Sequence, residues 1–494
     1  MHRSAPRVAK NTVAQFAARG IEGATNFAVT ILLARVLGAG RLGLFTFLSN
    51  YGSLFIFLGT LGLNLLIARE VARRRAEART YLANALGLGI VLTAVTFALQ
   101  VGLIYLTSSD PIARKGVYLA AAFTVFHSWE LLFAGTFYAL ERMELETIGI
   151  VIEKAVLLGA VFALIYTGGG VLAVLAAFAA AKALLVALYL AISARLIGFR
   201  RPAADLALWR RLASEAWPFA LNLLLTAVYF QVYVVVLLAM LASDEAAGYF
   251  RVGSIVALSL PMFAAGLNNA LLPLMARAHP DRPQAFKLGL ERSFTVLSLL
   301  GLPAAGALIA LGQPLVRGIF GSHFAPAVLV FQVLGATVPL KFASNTIGVA
   351  LTAANRQRQR TLAVGVGAAV NVALSCALIL LFARLGGAGG AATAAGIAAV
   401  AADLVILALV AVYLRRAGYP LDMPHLSARP ALAAAIMGLA LWFARGMSLG
   451  ATIPLGVVVY AGAAWAVRAV RRSDIEWAKQ ALLKRDPEVE GLKQ

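Results

Sequence analysis

The sequence contains a single cysteine and few charged residues for its length. Cys376 stands alone in an apolar run of a 494-residue chain, which excludes an intramolecular disulfide and a cysteine-ligated metal site. Only 13% of the residues are charged and 61% are hydrophobic, whereas about a quarter of a soluble domain is charged. There is also no phosphate-binding glycine loop followed by lysine, so a built-in ATPase of that class is excluded. Apolar runs long enough to cross a bilayer predict a polytopic α-helical membrane protein.

Acidic residues are scarce as well. The chain has 22 acidic and 43 basic residues and a net charge of +21. The basic residues cluster in short loops between apolar runs, and no separate basic domain is present. We therefore expect them to orient the chain and to face anionic lipid headgroups, and we expect no nucleic-acid partner.

The apolar runs predict fourteen spans, with both chain ends in the cytoplasm and the protein in the cytoplasmic (inner) membrane. In this arrangement 31 of the 43 lysines and arginines lie in cytoplasmic segments and seven in outer segments, as the positive-inside rule requires. An error of one span would scramble this alternation. The predicted spans 1 to 14 cover residues 11–37, 43–67, 81–107, 113–140, 147–166, 170–197, 214–241, 246–272, 289–312, 326–354, 361–383, 388–414, 429–446 and 451–468.

The spans also suggest a parallel internal repeat. Gly43 and Asn64 stand 21 residues apart in span 2, and Gly248 and Asn269 show the same spacing in span 8. The expected fold is all-α, with two pseudo-symmetric six-helix lobes and two additional C-terminal helices. The predicted domains are an N-terminal lobe (1–197), a cytoplasmic connector (198–213), a C-terminal lobe (214–414), spans 13 and 14 (415–468) and an amphipathic cytoplasmic tail (469–494).

Charged residues inside spans are the first candidates for function, because a charge at mid-bilayer costs several kcal/mol unless it faces protein or water. Arg19 and Glu22 are three residues apart and share a helix face. They form either a structural ion pair or an anion site in which Glu22 tunes Arg19. Lys182 and Lys341 lie near the middle of spans 6 and 10, where snorkelling is hardest, and are interpreted as cations of a central cavity.

The acidic residues in the spans have several possible roles. Asp403 in span 12 is either a proton or sodium site or a partner for Lys341. Glu130 follows His127 by three residues, a spacing suited to proton relay, while a metal site lacks a third ligand at a matching spacing.

The remaining candidates are an adjacent pair of charged residues and several asparagines within the spans. Glu153 and Lys154 are adjacent and point about 100° apart on a helix, so they are predicted to meet different partners. Asparagines within spans either bond between helices or line a cavity that accepts sugar. The asparagines proposed to line it are Asn26, Asn222, Asn269 and Asn345.

The first two spans resemble the polysaccharide-unit flippases of O-antigen type, which belong to the multidrug/oligosaccharidyl-lipid/polysaccharide (MOP) exporter superfamily. Thr60 departs from the pattern, which commonly has an acidic residue there. The resemblance covers about 60 residues in detail and extends through span number and spacing. The residues that carry it are Lys10-Asn11-Thr12, Ala34-Arg35-Val36-Leu37-Gly38, Gly43-Leu44-Phe45, Leu61-Gly62-Leu63-Asn64 and Arg69-Glu70.

This resemblance implies a two-lobed bundle around a cationic cavity that flips polyprenyl-pyrophosphate-linked oligosaccharides. The implied partners are the lipid-linked oligosaccharide, membrane lipid and possible further polysaccharide-assembly proteins; no cofactor is implied. The pyrophosphate would meet Arg19, Lys182 and Lys341. The candidates for ion coupling or for pairing are Glu22, Asp403, Glu130 and Glu153.

Three other functions remain as alternatives. A cation-coupled drug exporter and a flippase for another lipid-linked precursor, such as lipid II, belong to the same superfamily. A membrane-embedded glycosyltransferase or polymerase would need a catalytic loop outside the membrane, and the predicted outer loops are only a few residues long. The expected protein is therefore a transporter rather than an enzyme.

Overall fold

The structure is a computed structural model that describes most of the chain. For residues 5–19 and residue 107 the description covers the backbone only. The described residues are 5–199, 201–217, 219–221, 223–224, 244–261, 264, 268, 272, 275–276 and 278–469.

The described chain is built from α-helices joined by short turns, as the apolar runs predict. We label the helices in chain order, and a further connector helix covers residues 206–217. The labelled helices are α1 (Ala5–Leu54), α2 (Ile56–Thr60), α3 (Leu63–Arg73), α4 (Ala78–Thr107), α5 (Pro111–Ala139), α6 (Met143–Tyr166), α7 (Val171–Ile197), α8 (Asp244–Ser259), α9 (Pro283–Ala310), α10 (Gly312–Phe320), α11 (Ala327–Gly335), α12 (Thr337–Ala353), α13 (Gln357–Arg416), α14 (Met423–Phe443) and α15 (Leu449–Ala466).

Ten helical segments of the described residues are long and apolar enough to cross a membrane. Two of them contain a break in helical geometry, so the ten correspond to twelve of the predicted spans. Of the remaining two, span 7 lies largely outside the described residues, whereas α8 forms the first part of span 8. The prediction of an all-α membrane protein is confirmed.

Glycines make both of these breaks. In α1 the break is at Gly38, whose φ of 75° is in the region that favours glycine. In α13 it is at Gly386 and Gly387, the latter with a φ of 58°. Both breaks fall in the turns predicted between successive spans, and they let the chain reverse without a loop.

The second span has a further break in its interior. Leu61 and Gly62 both adopt left-handed backbone conformations, with φ values of 46° and 74°, and separate α2 from α3. The Gly62 N–H donates to the Thr60 hydroxyl at 3.4 Å. Bare backbone inside a membrane is tolerated where protein covers it. Here Gly62 is buried, and a Cβ at this position would lie 2.5 Å from the Cβ of Phe219.

The chain divides into two compact units, Met1–Gly248 and Tyr249–Gln494. In the first unit, Leu132, Phe133 and Phe137 of α5 are fully buried in a core shared with α3, α4 and α7. In the second unit, α9 packs against α14 and α15, and the Tyr460 hydroxyl donates to the Leu299 carbonyl at 2.7 Å.

The segment that follows α7 docks on α4 through two hydrogen bonds that its backbone N–H groups donate. The Ala203 N–H donates to the Ala83 carbonyl, and the Asp205 N–H donates to the Asn84 side-chain oxygen, both at 2.9 Å. The Asp205 carboxylate then accepts two backbone N–H groups at the start of the 206–217 helix. The first part of the predicted connector is therefore held on the first unit.

Two glycines with equivalent positions in the predicted repeat lie against each other in the first unit. A Cβ at Gly43 would lie 1.6 Å from the Asp244 carbonyl oxygen and 2.9 Å from the Gly248 nitrogen. A Cβ at Gly248 would lie 2.1 Å from the Ala39 carbonyl oxygen. Only glycine permits this backbone-to-backbone approach, which small residues provide in membrane proteins generally.

Close packing of α5 on α3 gives a test of this core. A Cβ at Gly135 would lie 2.3 Å from the backbone oxygen of Asn64, whereas a Cβ at Gly102 would have no atom within 4 Å. We expect Gly135→Ala to destabilise the protein by about 1–3 kcal/mol through overpacking. Gly102→Ala, the matched control, should be neutral or stabilising by up to about 1 kcal/mol. Thermal unfolding in detergent measures both, and equal melting temperatures for the two variants would contradict this packing.

Candidate functional site

A cluster of buried charges joins three helices of the first unit. Lys182 on α7 contacts Glu130 on α5, and its ammonium lies 3.1 Å from a carboxylate oxygen of Glu153 on α6. The three side chains are only 4%, 8% and 2% exposed, in that order. Long apolar helices carry these residues to one depth, where the ion pairs replace the water that the bilayer lacks.

Two further residues extend this cluster. The His127 Nδ1 lies 2.8 Å from Glu130 Oε2, and the imidazole is 25% exposed. The Lys154 ammonium donates to Glu153 Oε1 at 3.1 Å. The prediction that Glu153 and Lys154 meet different partners is wrong in this respect, because the long lysine side chain bends back to its neighbour's carboxylate.

We call these five residues the N-lobe cluster: His127, Glu130, Glu153, Lys154 and Lys182. With a neutral imidazole, its two ammonium groups balance its two carboxylates. Removal of one partner from such a group leaves an uncompensated charge in a poorly solvated site. Each charge of the cluster therefore depends on its partners. The net charge changes when a proton or an external ion binds.

A hydrogen-bonded group next to this cluster was not predicted from the sequence. The Tyr138 hydroxyl donates to a Glu146 carboxylate oxygen at 2.7 Å, and the Tyr189 hydroxyl donates to the Glu146 carbonyl at 3.0 Å. These bonds join α5 and α7 to the first turn of α6. The sequence signal was a glutamate near a span end beside tyrosines in apolar runs, which is too common to single out.

The second unit contains a smaller pair with the same chemistry, which we call the C-lobe pair. The Lys341 ammonium on α12 lies 3.0 Å from a carboxylate oxygen of Asp403 on α13, with the side chains 11% and 2% exposed. Of the two alternatives for Asp403, pairing with Lys341 is the arrangement found. Both predicted mid-span lysines are thus neutralised by carboxylates of neighbouring helices.

The two ion pairs have opposite polarity under the predicted repeat. That repeat equates span 4 with span 10 and span 6 with span 12. The glutamate of span 4, Glu130, corresponds to the lysine of span 10, Lys341; the lysine of span 6, Lys182, corresponds to the aspartate of span 12, Asp403. An ion pair therefore joins the two helices that the repeat equates in each unit, but the lysine and the carboxylate have exchanged helices.

The remaining predicted residues lie apart from these groups or outside the description. Glu22 is half-buried on α1, and Asn26, one turn further along, is exposed. Asn345 is half-buried on α12, one turn after Lys341. The side chain of Arg19 lies outside the described residues, as do Asn222 and Asn269. Within the described part of the chain, no three His, Cys, Asp or Glu residues are placed to hold a metal ion.

The first part of the chain matches a known protein family. The sequence profile of the family described as "Polysaccharide biosynthesis protein" matches residues 8–279, more than half of the chain. No curated protein matches the chain.

Several solved membrane transporters share the fold. The lipid II flippase MurJ, in an inward closed conformation, aligns over 92% of this chain and 97% of its own, with a TM-score of 0.73 and 14% identity. An inward-facing multidrug resistance transporter of the MATE family and the MOP superfamily aligns over 80% and 94%, with a TM-score of 0.64 and 14% identity. A MOP superfamily transporter from Pyrococcus furiosus aligns over 84% and 97%, with a TM-score of 0.56 and 13% identity. At these identities the similarity establishes the fold.

The C-lobe pair makes a stability prediction. Lys341→Met leaves the Asp403 carboxylate in a site that is almost closed to water, which we expect to cost about 3–5 kcal/mol. Lys341→Met/Asp403→Leu should recover most of that loss, because both charges are gone. The melting temperature and the monodisperse yield in detergent measure the effect.

The exposed pair Lys287 and Glu291 provides the control. The Lys287 ammonium lies 3.8 Å from a Glu291 carboxylate oxygen, and the two side chains are 49% and 33% exposed. Lys287→Met should change stability by no more than about 1 kcal/mol. A single Lys341→Met variant as stable as Lys287→Met would show that the C-lobe pair does not stabilise the fold.

Proposed function

Because the chain belongs to the polysaccharide biosynthesis protein family, we propose that it flips polyprenyl-pyrophosphate-linked oligosaccharide units across the cytoplasmic membrane. The match over residues 8–279 is the observation that carries this proposal. The fold shared with a lipid II flippase supports it, because lipid II is itself a lipid-linked sugar precursor. The substrate unit would serve the assembly of a surface polysaccharide.

The proposed cycle is alternating access. The oligosaccharide and the pyrophosphate would pass through a central cationic cavity while the polyprenyl chain stays in the bilayer. A conformational change would expose this cavity to one side of the membrane and then to the other. The residues that meet the substrate in this proposal are Arg19, Lys182 and Lys341, with the asparagines as hydrogen-bonding groups for sugar.

The N-lobe cluster gives this proposal a chemical step. At rest, Lys182 is held by Glu130 and Glu153. A pyrophosphate would compete with these carboxylates for the ammonium. Glu153 released from Lys182 would keep its ion pair with Lys154, whereas Glu130 would keep the imidazole of His127 and lose its ammonium partner. Glu130 would then take up a proton, which removes its buried negative charge while the substrate is bound.

In this proposal His127 delivers that proton. Its imidazole lies 2.8 Å from Glu130 and keeps a quarter of its surface exposed, so it would connect the cluster with the transport path. A histidine exchanges protons in the physiological pH range. Substrate entry and proton entry would therefore be linked at one carboxylate, and the proton gradient would contribute to the direction of flipping.

Exchanging the two charges of the C-lobe pair separates a substrate role from a structural one. Lys341→Asp/Asp403→Lys retains the ion pair, and we expect the variant to insert and fold. We also expect its flipping rate to fall at least about tenfold, because the cation then lies on another helix and one lost charged contact is worth at least about 1.4 kcal/mol. The matched control is Lys287→Glu/Glu291→Lys, which exchanges an exposed pair and should flip at the unmodified rate.

The measurement uses proteoliposomes that contain fluorescent polyprenyl-pyrophosphate-linked N-acetylglucosamine. A reagent that quenches only outer-leaflet fluorophore reports the transfer. Full activity of the exchanged variant would contradict a substrate role for Lys341. Transport of a cationic dye by the unmodified protein, with no movement of the lipid-linked sugar, would contradict the flippase proposal and favour a drug exporter.

A further inference from the structure

A charged cavity lies in the second unit, away from the C-lobe pair. It has a volume of about 350 Å³ and sits where α9 and α14 begin and α15 ends. These three helix ends coincide because α14 and α15 form an antiparallel hairpin that packs against α9. The charged and polar residues of its lining that matter here are Glu291, Arg292, Asp422, His425, Arg429 and Arg468.

Three arginines converge on this cavity without a carboxylate partner. Within the described part of the chain, Arg292, Arg429 and Arg468 form no ion pair with an acidic side chain. Arg429 donates to the backbone carbonyl of Arg468 at 3.4 Å. That bond holds the end of α15 against the start of α14 and leaves most of the guanidinium donors available. Arginine pairs with phosphate through two parallel hydrogen bonds, so this set favours a phosphate group.

The two acidic residues of the lining are occupied by other groups. The Asp422 carboxylate caps α14 by accepting the His425 N–H at 3.2 Å. The Glu291 carboxylate lies 3.8 Å from the Lys287 ammonium, one turn earlier on α9. They lower the net positive charge of the cavity but leave the arginine side chains facing it. The expected ligand is therefore an anion of low charge, such as a phosphodiester.

The surface beside the cavity is apolar and continues along one face of α14. His425, Leu432 and Leu439 are seven residues apart in turn and so lie on the same side of the helix. Leu432 and Leu439 are 54% and 61% exposed, and Ile436 between them is 41% exposed. A charged cavity at the end of the helix thus passes directly into an exposed apolar strip that runs into the membrane. An amphipathic anion fits both the arginine-lined cavity and the apolar strip next to it. Free phosphate would contact the cavity alone.

The position of the cavity agrees with a lipid interface. The positive-inside pattern places this end of α9, α14 and α15 on the cytoplasmic side. Trp465, near the end of α15, is 82% exposed, as is usual for tryptophan at the level of the headgroups. Basic cavities between membrane helices on this side are known to bind anionic headgroups.

We propose that this cavity is a binding site for the headgroup of an anionic phospholipid. Arg292, Arg429 and Arg468 hold the phosphodiester, and the acyl chains lie along the apolar strip of α14. The bound lipid fills the space between α9 and the α14–α15 hairpin and strengthens the attachment of that hairpin to α9. This site is separate from the residues proposed to meet the transported substrate, and it does not depend on the identity of that substrate.

The test titrates the delipidated full-length protein in detergent with dioleoylphosphatidylglycerol and counts bound lipids by native mass spectrometry. Arg292→Gln/Arg429→Gln should weaken the tightest phosphatidylglycerol binding at least about tenfold, the equivalent of 1.4 kcal/mol. Arg445→Gln is the matched control. Arg445 follows the other end of α14, where its guanidinium lies 4.4 Å from the centre of the Trp442 ring, and its substitution should leave the affinity within about twofold.

Two parallel titrations distinguish the possible ligands. Dioleoylphosphatidylcholine, a zwitterion, should bind more weakly than phosphatidylglycerol and should not respond to the double substitution. Inorganic phosphate at millimolar concentration should leave bound phosphatidylglycerol in place. Phosphatidylglycerol affinity unchanged by the double substitution, or full displacement of the lipid by inorganic phosphate, would overturn the proposal.

A single substitution keeps the test decisive if the double variant does not fold. Arg468→Gln changes a residue that follows α15 and removes only its guanidinium, while its backbone carbonyl still accepts from Arg429. We expect a loss of at least about threefold in phosphatidylglycerol affinity with an unchanged elution volume. Unchanged affinity in this variant would also overturn the proposal.

Discussion

The absence of water around a charge inside a bilayer is the constraint on which this structure depends. An ammonium or a carboxylate in the membrane interior is costly unless an opposite charge replaces its solvent. The chain meets this requirement by pairing charges across helices, through Lys182 in the first unit and Lys341 in the second. The ion pairs therefore select which helices lie side by side. A purely apolar contact does so weakly in lipid, because lipid tails are as apolar as the side chains.

The same constraint connects stability with transport. The N-lobe cluster crosses α5, α6 and α7, so any ion that enters it alters the contacts among three helices at once. The C-lobe pair joins α12 and α13. Helices that the predicted repeat equates are thus joined by buried ion pairs in both units. In our proposal the first unit is the one that couples protons to the substrate, because His127 lies beside Glu130 there.

The sequence predicts the elements well and the contacts poorly, for a physical reason. Apolar runs and the positive-inside pattern identify the spans, and glycine-rich turns predict the breaks at Gly38 and Gly387, because these signals are local. Lys182 and Lys341 stand out as charges in apolar surroundings, but their carboxylate partners depend on how distant helices pack. The prediction for Lys154 failed because helical periodicity determines only the direction of the Cβ atom. The four methylene groups beyond it let the ammonium reach back to Glu153. The arginine-lined cavity also escaped prediction, since its three helix ends are far apart in the sequence.

The neutrality of both buried groups has an electrical consequence. Moving one elementary charge through the membrane potential changes the free energy by about 2.3 kcal/mol per 100 mV. A cluster with balanced ammonium and carboxylate groups contributes no such work when its helices shift across the field. The empty carrier would then reorient without sensing the membrane voltage through these residues. Any current that accompanies turnover would report the charge of the cargo and of the proton that travels with it.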